Sequence, residues 1–274
     1  MNDLIKCTLH AHTTYCDGKN TVDEMVESAV SLGCHTIGFS GHSYIKVFDH
    51  VEDWCMLLEK EKNYQRDVKT AAEKYKNKID VMLGLELDYY SPAPDYDYEY
   101  VIGSVHYVKT PNTYIAVDLS PDDLKVKVGE EYGGDFLAFA RDYYEHVADV
   151  YNKTKCDIIG HFDLITKFNE KFNFFDENDK KYREYAYDAL DTLIKTGVPF
   201  EVNTGAISRG WRTTPYPSPF ILSRIAEKNG SVIINSDTHS KDSILCEYEK
   251  AYEIVKNSGV KNICTVKDKR IVCM

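Results

Sequence analysis

Apolar and polar positions divide most of the chain into short apolar runs separated by longer amphipathic segments. The apolar runs predict β-strands over residues 4–10, 35–41, 79–86, 100–106, 156–161, 198–203, 231–236 and 262–266. Helical periodicity predicts α-helices over residues 21–33, 52–76, 133–152, 177–196, 217–229 and 242–258. The first helix has clear boundary signals, because Thr21 and Glu24 form a capping-box pattern at its start and Gly33 is suited to ending it.

This alternation of strands and helices predicts an α/β fold built on a parallel sheet. Strands separated by helices pair in parallel through right-handed crossovers, and near-continuous apolar strands are typical of sheets covered on both faces. Seven or eight such units in 274 residues favour a closed barrel over an open sheet. The length also permits two small domains, but no linker or internal repeat interrupts the pattern. We therefore expect residues 1–274 to form a single domain.

Composition narrows the class of protein. Hydrophobic residues make up 43% of the chain, enough for a large core, but no apolar stretch approaches the roughly 20 residues of a membrane span. The first residues lack the basic and apolar regions of a signal peptide, so we expect a cytoplasmic protein with no membrane partner. The eight cysteines include no CxxC pair, and in a cytoplasmic chain they are expected to be buried thiols rather than disulfides.

The formal net charge of −11 argues against a nucleic-acid partner. A phosphate backbone binds to a basic surface, and a chain of this charge repels it at long range. A small anionic substrate is compatible with the sequence if a local cluster of positive charge outweighs the overall field. The pattern does not specify an oligomeric state.

Side chains suited to metal binding follow the carboxyl ends of the predicted strands. They are His10, His12, His42, Glu86, His106, His161, Asp237 and His239. In a parallel barrel those ends meet on one face, where imidazoles and carboxylates from distant parts of the sequence face one another. The other histidines lie at a strand start, in a loop and in a helix, and we assign no ligand role to His35, His50 and His146.

Two pairs of these residues have a spacing that suits a shared cation. His10 and His12 are two residues apart, as are Asp237 and His239, and residues i and i+2 of a strand point to the same side about 7 Å apart. An isolated histidine near a strand is more often a packed or surface residue than a ligand. Six of the nine histidines lie at strand ends, however, and this distribution favours a metal site.

Seven motifs together resemble the PHP (polymerase and histidinol phosphatase) family, and most closely its histidinol-phosphatase branch. In chain order they are TLHAHTTYCDG, FSGH, GLELD, GSVHY, IGHFD, EVNTG and SDTHS, and they extend from His10 to His239. The resemblance implies a distorted (β/α)7 TIM-like barrel with a trinuclear metal centre at the carboxyl ends of the strands.

The resemblance also implies the ligands of three divalent or trivalent metal ions, drawn from Zn, Fe or Mn. The first ion would be bound by His10, His12, Glu86 and Asp237. The second would be bound by Glu86, His106 and His161, with Glu86 bridging, and the third by Asp17, His42 and His239. Some members have histidine at the Asp17 position, and the aspartate here favours a harder cation.

The substrate that the resemblance implies is a phosphate monoester, most specifically L-histidinol phosphate in histidine biosynthesis. Three divalent ions and three ligand carboxylates leave a local charge of about +3, which attracts a phosphate dianion. Two ions about 3.5–4 Å apart would generate a hydroxide that attacks phosphorus in line, without a covalent enzyme intermediate. The candidate catalytic residues are Glu86, Asp237, His239 and Arg209.

Candidate substrate contacts come mainly from the segment after the strand at 198–203. They are Arg209, Arg212, His42 and Asn203. Arginine binds phosphate through two parallel hydrogen bonds, although pairing of Arg209 with a surface carboxylate is the alternative. Glu201 and Asn203 lie on one face of their strand, which suits orienting ligands or contacting substrate.

Two loops rich in turn residues, 91–98 and 211–219, are expected to overhang the same face of the barrel. In the first of them, Asp95, Tyr96 and Asp97 are candidates to meet the ammonium and imidazole groups of histidinol phosphate. Two alternatives stay open. The chain could be a phosphoesterase for another small phosphate, such as a nucleotide, or a non-catalytic PHP module that binds a partner, although its acidic composition and full ligand set disfavour the module.

Overall fold

The computed structural model describes residues 6–47 and 50–274 of the chain. The strands within these residues are β1 (Cys7–Thr8), β2 (Thr36–Phe39), β3 (Lys46–Val47), β4 (His50–Val51), β5 (Asp80–Asp88), β6 (Tyr100–Ser104), β7 (Tyr107–Lys109), β8 (Tyr114–Ala116), β9 (Ile158–Ile159), β10 (Phe200–Asn203), β11 (Ser231–Asn235), β12 (Asn262–Lys267) and β13 (Arg270–Cys273). The α-helices are α1 (Val22–Ser31), α2 (Leu58–Tyr75), α3 (Pro121–Tyr132), α4 (Phe136–Thr154), α5 (Asn169–Phe172), α6 (Lys180–Leu193), α7 (Gly205–Ser208), α8 (Pro219–Glu227) and α9 (Tyr248–Asn257).

The main sheet has the strand order β1-β2-β5-β6-β9-β10-β11-β12-β13. Every neighbouring pair from β1 to β12 is parallel, and only β13 runs antiparallel to its neighbour. Helices lie between successive barrel strands except between β5 and β6, which residues 89–99 connect without a helix. The parallel α/β architecture expected from the alternation of apolar runs and amphipathic segments is therefore confirmed.

The sheet closes into a barrel between β1 and β11. Beyond the ends of these strands, Ala11 and Thr238 form a parallel bridge, in which the His12 amide donates to the Thr238 carbonyl at 2.8 Å. Closer to β1, the Leu9 amide donates to the side-chain Oδ1 of Asn235, in β11, at 2.8 Å. On β11, β12 pairs only with residues Ser231–Ile233. The remaining part of β11 is therefore free to meet the segment that follows β1. Seven parallel strands thus form a distorted barrel, and β12 diverges from it.

One aromatic ring packs inside the barrel together with apolar side chains of several strands. Tyr100 of β6 is buried, and its hydroxyl donates to the Leu9 carbonyl across the barrel at 2.5 Å. The ring lies directly over Gly38 and Gly84, where an added Cβ would come within 2.4 Å and 2.2 Å of Tyr100 atoms. The approach of the ring therefore requires glycine in both neighbouring strands.

The helices bury one face each against the outside of the barrel. In α4, the buried residues Phe139, Tyr143, Val147 and Val150 recur at intervals of three and four, which places them on one side of the helix. The helix α1 has the predicted capping box, since the Thr21 side chain accepts from the Glu24 amide and Glu24 bonds back to the Thr21 amide. Among the described residues, no helix has both the length and the apolar character needed to cross a membrane.

The structure adds several elements that the hydrophobic pattern did not predict. Antiparallel hairpins, β3–β4 and β7–β8, follow the ends of two barrel strands, and α3 precedes the predicted helix at 133–152. The helix predicted from residue 52 begins only at Leu58, because the preceding segment forms β4 and an extended turn. The strand predicted at 4–10 reduces to Cys7–Thr8, and its residues 4 and 5 lie outside the described part of the chain.

The expectation that all cysteines are free thiols is wrong at one pair. Cys264 and Cys273 face each other across the antiparallel hairpin β12–β13 and form a disulfide. Strands 231–236 and 262–266 were expected, but β13 was not, so the partner of Cys264 was missed. The other six cysteines are free, as predicted.

Candidate metal centre

The side chains predicted to bind metal gather at the carboxyl ends of the barrel strands. His10 and His12 follow β1, His42 follows β2, Glu86 lies in β5, and His106 and His161 follow β6 and β9. Asp237 and His239 follow β11, and Asp17 lies in the turn before α1. Asp237 has a φ of +48°, in the left-handed region that aspartate tolerates better than most residues. This backbone turn directs its carboxylate back toward the β1 histidines.

One group of donors forms where β1 meets β11, and it contains His10, His12 and Asp237. Nε2 of His12 lies 3.2 Å from Oδ1 of Asp237, and Nε2 of His10 lies 3.7 Å from the same oxygen. The two imidazole centroids are 5.1 Å apart. The spacing of two residues along β1 therefore brings both rings to one side, as the sequence predicted.

Glu86 lies at the centre of the site, within 4 Å of ring nitrogens of five histidines, of which His12 is the most distant at 3.7 Å from Oε2. Its Oε2 is 2.7 Å from Nδ1 of His42 and 3.2 Å from Nε2 of His10. Its Oε1 is 2.9 Å from Nε2 of His161 and 3.5 Å from Nε2 of His106. Because its two oxygens face different histidines, Glu86 is placed to bridge two cations.

A further donor group lies nearer the surface and contains His12, Asp17, His42 and His239. Oδ2 of Asp17 is 3.2 Å from Nε2 of His239, and its Oδ1 is 3.6 Å from Nε2 of His42. His12 and His239 stack with their centroids 4.1 Å apart. His42 thus belongs to two groups, because its other ring nitrogen faces Glu86.

Several buried polar atoms of this site have no hydrogen-bond partner among the described residues. They are Nε2 of His10, Nε2 of His12, Nδ1 of His42 and Oε2 of Glu86. Some of these atoms lie as close as 2.7 Å to one another without the alignment of a hydrogen bond, and leaving a buried polar atom unpaired costs about 1–3 kcal/mol, so their convergence favours a compensating ligand. Imidazole nitrogens and a carboxylate oxygen converging in this way fit divalent transition-metal ions.

The charges of the site hold its carboxylates ionised. Burial raises the pKa of Glu86, but His10 and His42 outweigh it and hold the pKa well below the usual range. Burial likewise raises the pKa of Asp237, and Arg209 and His10 bring it well below the usual range. Both carboxylates are therefore available as anionic ligands at neutral pH.

Two histidines of the site, His12 and His106, differ in the direction of their pKa shifts. Burial lowers the pKa of His12 to about 3, and the nearby His239 ring adds to this effect. Burial also lowers the pKa of His106, but Asp88 and Glu86 outweigh it and raise the pKa to about 9. At neutral pH His12 is therefore ready to bind a metal ion, whereas His106 must first lose a proton.

Two buried carboxylates contact the Nδ1 atoms of two candidate ligand histidines. Oε1 of Glu201 lies 2.7 Å from Nδ1 of His10, and Oδ2 of Asp88 lies 3.0 Å from Nδ1 of His106. Glu201 was among the residues that the sequence suggested for orienting ligands, whereas Asp88 was missed. The sequence did contain a signal for Asp88, because it lies two residues after Glu86 in the same strand and therefore on the same face.

A cavity of about 570 Å³ opens above the cluster. Its lining residues include Asp17, His42, Glu86, His106, His161, Arg209, Asp237 and His239. Nη2 of Arg209 lies 3.0 Å from Oδ2 of Asp237, and its Nη1 donates to the Asp237 carbonyl at 3.1 Å. About a third of the Arg209 side chain is exposed, so the guanidinium borders the cavity as expected.

Asn203 and Arg212 are not brought to this cavity. Asn203 is fully buried, and its amide donates to Oε2 of Glu201 and accepts from the Gly205 amide. Arg212 is also buried and donates to the Thr166 carbonyl at 3.0 Å, so it ties the 211–219 loop to the neighbouring segment. Neither is among the lining residues, so the geometry does not support the substrate contacts expected of them.

The loop 91–98 also lies away from the cavity. Tyr96 and Asp97 line a different pocket beside α2, where the Lys69 ammonium lies 4.7 Å from the Tyr96 ring centroid. Asp95 lines another pocket, bordered by Met56 and Leu85. The expected contacts of these residues with a substrate are therefore not supported by the geometry.

Other cavity residues gave no sequence signal. Trp54 contacts the His42 ring edge-on, with centroids 4.7 Å apart, and Lys167 pairs with Asp118 at 3.0 Å. Trp54, Asp118 and Lys167 all line the cavity. Trp54 lies in the insertion after β2, Asp118 in the segment after β8 and Lys167 in the turn after β9. In these segments neither hydrophobic periodicity nor residue spacing indicates a role.

Comparisons with known proteins give a consistent result. The chain matches the model of the PHP domain over residues 8–205. It is 25% identical over 278 residues to a probable histidinol-phosphatase of Schizosaccharomyces pombe, across 94% of this chain and 88% of the relative. It is 26% identical over 272 residues to a probable histidinol-phosphatase of Deinococcus radiodurans, across 94% of this chain and 95% of the relative.

Solved structures share the fold. The HisK structure from Listeria monocytogenes superposes with a TM-score of 0.76 at 20% identity, over 89% of this chain and 99% of that one. The histidinol phosphate phosphatase of Lactococcus lactis subsp. lactis, in complex with zinc, L-histidinol and phosphate, superposes with a TM-score of 0.70 at 19% identity, over 98% and 99% of the two chains. The distorted TIM-like barrel expected from the sequence is thereby confirmed.

Proposed function

Because the chain belongs to the PHP family, we propose that it is a metal-dependent phosphatase that hydrolyses L-histidinol phosphate to L-histidinol and phosphate. The observation that carries this proposal is the convergence of unpartnered His10, His12, His42 and Glu86 atoms beneath a cavity. Relatives that cover nearly the whole chain are named for this activity. The reaction belongs to histidine biosynthesis, and the whole chain acts as one catalytic domain.

The proposed centre holds three metal ions. Zinc is favoured by the imidazole-rich donors and by its presence in the Lactococcus lactis structure, with Fe or Mn as alternatives. Asp17, which provides carboxylate oxygen on the exposed side, favours the hardest of the bound ions there. Bound ions supply a water nucleophile of lowered pKa and offset the charge of the phosphoryl oxygens.

The residues of the chain prepare the substrate for this chemistry. Arg209 directs its guanidinium into the cavity beside Asp237 and is placed to donate to a phosphoryl oxygen. Glu86 and Asp237 are held ionised, and their negative charge would keep the cations in place. His239 and His42 border the cavity beside Asp17.

Steady-state kinetics on a panel of phosphate monoesters test this function. We expect kcat/KM for L-histidinol phosphate to exceed that for p-nitrophenyl phosphate and for nucleoside monophosphates. A nucleoside monophosphate hydrolysed faster than histidinol phosphate would instead support the alternative small-phosphate esterase. Absence of turnover of every monoester by the metal-loaded chain would remove the phosphatase proposal.

A further inference from the structure

Glu201 is a fully buried carboxylate whose hydrogen-bonding capacity is used completely. Its Oε1 faces Nδ1 of His10 at 2.7 Å and accepts from Nδ2 of Asn235 at 3.0 Å. Its Oε2 accepts from the backbone amide of His161 at 2.9 Å and from Nδ2 of Asn203 at 2.9 Å. A carboxylate offers about four lone-pair positions, so four donors leave none for a metal ion.

Three of the four donors to Glu201 cannot become acceptors. Oδ1 of Asn203 accepts from the Gly205 amide, and Oδ1 of Asn235 accepts from the Leu9 amide, so neither side-chain amide is free to exchange its oxygen and nitrogen. The His161 donor is a backbone amide, which can never accept. Only the ring of His10 is able to change between donor and acceptor at Nδ1.

We propose that Glu201 is a positioning residue that keeps the proton of His10 on Nδ1, so that Nε2 presents its lone pair to a metal ion. This inference rests on the metal centre of the proposed function. The second ring nitrogen is consistent with this role, because Nε2 of His10 is buried without a hydrogen bond and lies 3.2 Å from Oε2 of Glu86. A carboxylate only accepts, so it selects one of the two ring tautomers.

Replacing Glu201 by glutamine separates this role from general packing. Glutamine has nearly the same shape but one acceptor oxygen, which must face the His161 amide because that donor cannot adapt. The glutamine NH2 group then faces Nδ1 of His10, which becomes an acceptor, so the ring proton moves to Nε2, and Nδ2 of Asn235 loses its hydrogen bond to residue 201. In this state His10 directs a proton, rather than a lone pair, at the metal ion.

Asp88 provides a matched control. A single oxygen, Oδ2, accepts both from the His106 amide at 3.1 Å and from Nδ1 of the same residue at 3.0 Å. An asparagine that keeps its oxygen in this position retains both bonds from His106 and loses only the bond from the Tyr90 amide, because its NH2 group then replaces Oδ1, which accepts from that amide in the wild type. Asp88→Asn therefore removes one negative charge, as Glu201→Gln does, but leaves the His106 tautomer unchanged.

The experiment compares zinc release from the zinc-loaded full-length wild type, E201Q and D88N to a chromophoric chelator. We expect E201Q to lose about 10–100-fold in affinity for one Zn²⁺ ion per chain, and D88N to lose less. Wild-type affinity in E201Q would overturn the proposal. Equal losses in the two variants would overturn it as well, because the shared loss of charge would then account for both.

A second measurement does not depend on either variant. In nitrogen-15 NMR of the histidine rings in the zinc-loaded wild type, His10 should carry its proton on Nδ1. A proton on Nε2 would contradict the inference even if E201Q failed to fold. Both measurements are independent of turnover, so a chain that binds zinc in this way without hydrolysing histidinol phosphate would refute the proposed function and leave the role of Glu201 intact.

Discussion

At the scale of single residues, His42 shows how donors are shared in this site. Its Nδ1 lies 2.7 Å from Oε2 of Glu86, and its Nε2 lies 3.6 Å from Oδ1 of Asp17. The family resemblance placed His42 with Asp17 and His239 alone, but the geometry also places it beside Glu86. This one ring therefore connects the buried and the exposed donor groups through its two nitrogens.

The central carboxylate provides the first prediction. Glu86→Gln should reduce the metal content by at least one ion and lower turnover by more than about 100-fold, because loss of a direct ligand should exceed the 10–100-fold cost of losing an outer partner. Metal analysis and kcat measure the two effects. Glu27→Gln, an exposed change on α1, is the control and should leave both unchanged. Full metal content with normal turnover in Glu86→Gln would contradict the bridging role.

Arg209 provides a prediction about phosphate binding. Arg209→Ala should lower kcat/KM for the phosphate substrate by about 10²–10³, because the guanidinium offsets charge that develops on the phosphoryl oxygens. Metal content should remain that of the wild type. Arg224→Ala is the matched control, since Arg224 pairs with Asp191 on the outside of the barrel. Equal kinetics in Arg209→Ala and the wild type would show that Arg209 serves only its pair with Asp237.

At the scale of elements, each barrel strand contributes to the site from its carboxyl end. Six of the seven strands provide or precede a candidate metal ligand, and the seventh, β10, provides Glu201. The ends of β1 and β11 meet through the Ala11–Thr238 bridge, which brings His10 and His12 beside Asp237. Closure of the barrel and assembly of this donor group are therefore the same structural event.

Packing inside the barrel provides a prediction about β5. Gly84→Ala should lower the free energy of unfolding by about 1–3 kcal/mol, because the new methyl group would overlap the Tyr100 ring. Urea unfolding measures the change. Gly129→Ala in α3 is the control, since nothing lies within 4 Å of its added Cβ, and it should stabilise the chain by up to about 1 kcal/mol. An unchanged stability in Gly84→Ala would contradict the close packing of Tyr100.

At the scale of the whole molecule, the local charge differs from the value inferred from the ligands alone. Glu201 and Asp88 add two buried carboxylates to the three of the ligand set. With three divalent ions, the inner site then carries about +1 rather than about +3, and Arg209 adds one more positive charge. The chain remains acidic overall at −11, so attraction of a phosphate is confined to the neighbourhood of the cavity.

These charges also link metal binding to pH. Burial lowers the pKa of His10, but Glu201 and Glu86 outweigh it and raise the pKa well above the usual value, while the pKa of His106 is about 9. Both rings are thus protonated in the metal-free chain at pH 7 and must release protons to bind zinc. Zinc affinity should therefore rise with pH up to about pH 9.

Calorimetric titration of the chelator-stripped chain with Zn²⁺ at pH 7 checks this linkage. The measured heat should depend on the ionisation enthalpy of the buffer, because the released protons are taken up by it. The same titration above pH 9 should show a smaller dependence, since His106 has then already lost its proton. A heat that is independent of the buffer at pH 7 would contradict the protonated state of these rings.

The sequence by itself determined the α/β barrel and the identity of the candidate ligands. Both depend on local signals: alternating apolar runs predict strands, and His10, His12, Glu86 and Asp237 lie at or just after strand ends, where a parallel barrel collects side chains. The fold and family membership inferred from these signals are confirmed, and the roles of the individual residues remain predictions.

Only the tertiary structure decided which residues support the ligands and which line the cavity. Glu201 and His10 are 191 residues apart, and their contact depends on how β10, β11 and β1 meet when the barrel closes. The same packing buries Asn203 and Arg212 and brings Trp54 to the cavity. Contacts between distant residues follow from strand register and from the paths of the loops, and neither is encoded in the periodicity of any one segment.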